Sequence, residues 1–262
     1  MIKFSRKTSA KKILEFFKKK KLFELLRASK EIPLRTNQTK KKKPYRPELN
    51  DLYSLYKIIT DNKRITSLEL GSGWSSLIIA LALQENQIKY KSQIRNLRVN
   101  NPFKNYSVDN EKKYLGIAKK RIIKYDKNLR KNNFFIFSKA KISKYNFRYV
   151  TEFVNLPKIN PDFIYIDGPD QYKLTASKDT FNIDRTDLTP MSADVLKIEF
   201  FLNPGTIILI DGRGANSNFL RKNLQRKWKY KYLKYADQHL FFLIDKPYGI
   251  HSDKLFKFFK KK

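Results

Sequence analysis

Between residues 65 and 211 short apolar runs end one after another in an acidic residue or a glycine turn, and a helical pattern follows most of them. This alternation is the signature of a parallel sheet with helical crossovers. The pattern predicts a helix over 48–61, a strand over 65–70, a helix over 75–84, a strand over 106–109, a helix over 112–125 and a strand over 134–137. A strand over 162–167 follows, and its nearly unbroken apolar run suits burial on both faces. Next come a helix over 193–202, a strand over 206–210, a helix over 218–228, and a hairpin of strands 231–235 and 239–244 joined by Ala236-Asp237-Gln238. The expected fold is α/β and doubly wound, with a mostly parallel sheet and helices on both faces.

The first strand runs into Glu69-Leu70-Gly71-Ser72-Gly73-Trp74-Ser75-Ser76. Glycine suits a backbone that must turn sharply and come close to a ligand, and the helix that follows points free N–H groups at negative charge. The dinucleotide fingerprint requires a third glycine where this chain has Ser76, which disfavours NAD. The run LELGSGWSS resembles motif I of the class I S-adenosylmethionine-dependent methyltransferases, with serine replacing the last glycine. Asp109, in SVDNEKKYL, matches the acidic residue of that family that accepts hydrogen bonds from both ribose hydroxyls. The resemblance covers roughly residues 48–246. It implies S-adenosylmethionine as cofactor and a seven-stranded sheet of order 3-2-1-4-5-7-6 with strand 7 antiparallel. The cofactor residues it implies are Glu69, Gly71, Ser72, Gly73, Ser75, Asp109 and Asp167. No counterpart of the family's adenine-binding acid is present in Phe137-Ser138-Lys139-Ala140.

Two apolar strands finish in aspartate, as Tyr165-Ile166-Asp167-Gly168-Pro169 and Leu209-Ile210-Asp211-Gly212-Arg213. In the implied order they are neighbours, which puts Asp167 and Asp211 about 5 Å apart in backbone position. Such a pair is expected to be catalytic. It also suits a shared Mg²⁺ that holds and acidifies a substrate hydroxyl, an arrangement similar to that of the cation-dependent O-methyltransferases of catechol and macrocin type. Those enzymes carry Asp-Asn or Asp-Asp where this chain has Asp211-Gly212-Arg213, so Arg213 is read as a partner of the aspartates or a ligand for substrate. His239, at the start of the antiparallel strand, is expected near Asp211 as a general base. The loop from 168 to about 192 is too long for a mere connection, and Asp170, Tyr172 and Arg185 in it are expected to bind substrate. The implied activity is methyl transfer to the hydroxyl of a small or glycan-linked acceptor.

The formal charge of +33, from 57 basic and 24 acidic residues, attracts polyanions. RNA methylation is therefore a second reading, and a non-catalytic membrane-surface or scaffold role is a third. Residues 1–44 form a basic arm, residues 45–250 the methyltransferase-like domain and residues 251–262 a basic tail. In the arm, Ile13, Leu14, Phe16 and Phe17 fall opposite Leu22, Phe23, Leu25 and Leu26 on a continuous helix, so two short helices broken near Lys18 to Lys21 fit better. They would dock on an anionic membrane or on the domain itself. The absence of cysteine and of a signal-like apolar region favours the cytoplasm.

Overall fold

The computed structural model describes residues 2–4, 7–32, 46–169, 174 and 190–260. Seven strands form the main sheet: β1 (Thr66–Leu70), β2 (Lys104–Asp109), β3 (Asn133–Phe137), β6 (Phe163–Ile166), β8 (Ile207–Asp211), β9 (Trp228–Leu233) and β10 (Gln238–Leu243). Their order is β3-β2-β1-β6-β8-β10-β9, with β10 antiparallel to both of its neighbours. A second, three-stranded sheet joins β4 (Ala140–Tyr145), β5 (Arg148–Phe153) and β7 (Met191–Ser192), none of which the sequence pattern predicts.

The central strands are buried on both faces, so alternate residues feed two apolar cores. Phe163, Tyr165, Ile207, Leu209, Leu240 and Phe242 pack toward α3 (Leu49–Asp61) and α4 (Trp74–Ile94). Ile164, Ile166, Ile208, Ile210, Phe241 and Leu243 pack toward α6 (Asp194–Ile198) and α7 (Gly214–Asn223). The first ten residues of α4 are all buried, and the helix then continues through a more polar half to Ile94. α5 (Lys112–Tyr125) has the bounds expected of it. α7 starts and stops earlier than its pattern suggests, and just past its end the buried Glu199 carboxylate accepts from the backbone N–H groups of Gln225 and Arg226 and from Trp228 Nε1. Trp228 then begins β9.

The arm is two helices, α1 (Ala10–Lys19) and α2 (Phe23–Glu31), and Ile13, Phe17, Leu22 and Leu25 are buried in the same core as α3 and α4. Most of the apolar residues of these two helices thus pack on protein, with Phe23 left exposed, and no helix among the described residues is long and apolar enough to cross a membrane. The segment read as a basic tail is largely helical as well. α8 (Ile250–Lys260) buries Leu255, Phe258 and Phe259 against Ile65, Ile94 and Phe103.

At the start of the parallel strands sits Arg64, 1% exposed. It donates to the carbonyls of Asn62 (2.7 Å) and Gly205 (2.6 Å), and its guanidinium lies 3.8 Å from the Phe259 ring centroid. Asp162 beside it accepts from the N–H groups of Ile65 (2.9 Å) and Thr66 (3.0 Å). Burial lowers Arg64 to about 10 and raises Asp162 to about 6, so both stay charged at neutral pH.

Candidate active site

At the opposite end of the sheet, Gly71 follows β1 with φ +98°, a conformation that side chains other than glycine rarely adopt. A Cβ there would stand 2.8 Å from the backbone nitrogen of Gly168, and one on Gly168 would stand 2.7 Å from Gly71. The loops after β1 and β6 therefore touch backbone to backbone. Ser72 Oγ donates to Asp109 Oδ2 (2.6 Å), and Asp109 Oδ1 accepts from the N–H of Glu111 (2.8 Å). Ser76 Oγ takes the N–H of Gly73 (3.2 Å) where α4 begins. Glu69 lies fully buried beneath the loop. It accepts from Ser75 Oγ (2.7 Å) and Ser107 Oγ, and burial carries its carboxyl to about 7 against the pull of these bonds. Gly71, Ser72, Gly73 and Asp109 thus form the rim of the loop, while Glu69 and Ser75 brace it from below.

Ile166 pairs with Ile210, so Asp167 and Asp211 leave adjacent strands side by side. Asp211 accepts from Gln238 Nε2 (3.2 Å) and from the Tyr165 hydroxyl. Gln238, fully buried, gives its other N–H to the carbonyl of Asp51 (3.1 Å) in the first turn of α3. The Asp167 carboxylate is open to solvent yet sits deep among protein atoms. Burial and then the charge of Asp211 push it up, while Arg213 pulls the other way. Asp211 is likewise raised by burial, and the two titrate as a pair. Asp51 is pushed up to about 9, by burial first and then by Asp211, Glu48, Asp237 and Asp167. Arg213 donates from Nη2 to the carbonyl of Pro169 (3.1 Å), and its buried Nη1 has no partner.

His239 is not beside Asp211. Gln238 holds the position across from Asp211, and His239 pairs with Ile210, so its ring projects from the opposite face of the sheet. There its Nδ1 lies 2.8 Å from the Tyr230 hydroxyl, and its ring stacks on Tyr232 with centroids 4.7 Å apart. Burial lowers its pKa. The structure adds Asp51, Tyr165 and Gln238 to the site, none of which sequence reasoning singled out. Asp170, Tyr172 and Arg185, together with Lys173, Asp184 and Asp187, lie outside the described residues. Among the described residues no group of three or more His, Cys, Asp or Glu side chains is arranged to hold a metal ion.

The sheet order, with its one reversed strand, is that of the class I methyltransferases. This is a Rossmann-like methyltransferase fold. Solved structures align with it over most of their length. The cofactor-bound Rv0187 from MTB is 11% identical with a TM-score of 0.44, covering 86% of this chain and 90% of that one. A methyltransferase from Geobacter sulfurreducens is 12% identical with a TM-score of 0.43, covering 91% of each chain. The O-methyltransferase TomG from Streptomyces achromogenes, in complex with SAM, is 11% identical with a TM-score of 0.41, covering 76% of this chain and 82% of that one. No protein-family model and no curated protein matches the sequence.

Proposed function

We propose that this protein is an S-adenosylmethionine-dependent methyltransferase acting on a hydroxyl of a small or glycan-linked acceptor. The observation that carries the reading is the meeting of two features at one sheet end: the Gly71 loop with Asp109, and the Asp167–Asp211 pair across the Gly71–Gly168 contact. The donor set fits the cofactor. The Asp109 carboxylate accepts from the Ser72 hydroxyl and from the backbone N–H groups of Ser72 and Glu111, and of its roughly four lone-pair sites one is left for a ribose hydroxyl. The N-terminus of α4 faces the same loop and suits the carboxylate of the amino-acid portion.

When bound, S-adenosylmethionine supplies a methyl group on a positively charged sulfur. An alcohol is a weak nucleophile and needs its proton taken as it reacts. Asp167, raised toward neutrality by burial and then by the charge of Asp211, is the group to accept that proton. Asp211, held by Tyr165 and Gln238, acts by keeping Asp167 basic. A Mg²⁺ on the same two carboxylates is the competing use of the pair, and activity that disappears in chelator and returns with Mg²⁺ would favour it.

The first test is calorimetry with S-adenosylhomocysteine. Wild type is expected to bind and Asp109→Ala to bind at least tenfold more weakly, a loss of about 1.4 kcal/mol. Absence of binding by the wild type overturns the reading.

A further inference from the structure

In a chain with 57 basic and 24 acidic residues, one corner inverts the charge. Asp51 from α3, Asp167 after β6, Asp211 at the end of β8 and Asp237 before β10 converge there, with Glu48 at the exposed rim. Gln238 ties the corner together, since its Nε2 touches both the Asp51 carbonyl and Asp211 Oδ1. Turning the amide over would aim its oxygen at those two acceptors, which fixes its orientation. Its Oε1 is then left buried with no donor.

Hydrogen-bond supply points the same way. Asp237 takes the Tyr232 hydroxyl (2.7 Å), and Asp211 takes Tyr165 and Gln238. The carboxyls of Asp51 and Asp167 receive no hydrogen bond from the described residues, and Arg213, a cation at the edge, donates to the carbonyl of Pro169. Around Asp51 and Gln238 the described residues leave lone pairs in surplus, while the buried Nη1 of Arg213, beside Asp167, keeps an unused donor. A sulfonium brings charge without a donor hydrogen, so the cofactor does not correct this. An anionic acceptor would add to the repulsion already felt by Asp51, and a neutral sugar brings no charge. A primary ammonium brings one positive charge and three N–H donors.

Resting on the methyltransferase reading above, we infer that the acceptor carries an ammonium group as well as the hydroxyl to be methylated. It is an amino sugar or amino alcohol whose nitrogen is held by the carboxyls of Asp51 and Asp211, beside the unsatisfied amide of Gln238, while its hydroxyl lies at Asp167.

The test is calorimetry on the full chain saturated with S-adenosylhomocysteine, using matched probes: glucosamine against glucose, and tyramine against 4-ethylphenol. In at least one pair the aminated member is expected to bind tenfold or more tightly than its neutral parent, and Asp51→Asn is expected to erase most of that preference with S-adenosylhomocysteine affinity unchanged. Equal binding within both pairs overturns the proposal, as does failure of both amines to bind at millimolar concentration. Mg²⁺ alone binding stoichiometrically, in a manner that Asp211→Asn abolishes, overturns it in favour of a metal. Loss of S-adenosylhomocysteine binding by the wild type would instead sink the methyltransferase reading on which it rests.

Discussion

The two ends of the sheet both bury charge, and they do so in opposite ways. At the end where the parallel strands begin, Arg64 meets two carbonyls and an aromatic ring, and Asp162 takes two backbone N–H groups. At the end where they finish, Asp51, Asp167 and Asp211 crowd one another, and the amide oxygen of Gln238 has no donor. Buried polar groups cost free energy unless they are partnered. The first end is therefore complete as it stands and holds the fold together. The second keeps unspent acceptors, as expected of a surface finished by its ligands.

The sharpest way to break this contrast is to neutralise the ligand end. Asp167→Asn is expected to lower methyl transfer by about 10²- to 10⁴-fold, the usual worth of a positioned base. Its unfolding midpoint should stay at or above that of wild type, because a repelled charge has been removed. A variant that lost stability in step with activity would make Asp167 a structural residue.

At the complete end the expectation reverses. Arg64→Met leaves the buried carbonyls of Asn62 and Gly205 without their donor and should cost about 1–3 kcal/mol for each in urea unfolding. Should that variant be as stable as wild type, the distinction between the two ends fails.

A third effect is in pH. The folded-state pKa of Asp51 lies above its ordinary value of 3.8, at about 9. Below pH 4 the group is protonated folded or unfolded and has no effect. As pH rises toward 9 the unfolded chain releases the proton more readily, so the group increasingly destabilises the fold. Asp51→Asn should match wild type in thermal unfolding near pH 4 and exceed it near pH 9. Parallel curves for the two proteins would show that Asp51 is not held in this environment.

Most of the sheet was legible in the sequence, because strands buried on both faces write long apolar runs and the Gly71 turn has its own chemistry, whereas nothing in the sequence marked Arg64 and Asp162 at the complete end. The hairpin of β4 and β5 was not. Lysines interrupt its alternation, and its turn, Asn146-Phe147, adopts positive φ without the glycine that usually marks such a bend. α8 was hidden by its lysines, whose spacing leaves one apolar face. At the candidate site, Asp109, Asp167 and Asp211 were visible because each ends a strand. Asp51 was not, since it lies in a helix 160 residues before Asp211 and only the folded chain joins them. His239 was misplaced by one residue, and in a strand that is enough to move a side chain from one face to the other.

The contact between Gly71 and Gly168 also bears on how such a molecule can be altered. The loop after β1 and the loop after β6, to which the proposed function assigns the cofactor and the acceptor, meet at a joint made only of backbone, with no slack for even a methyl group. Any exchange of the loop that follows has to leave Gly168 in place. Alanine at 168 would wedge the two loops apart and be felt first as weaker cofactor binding, on the side of the joint that had not been changed.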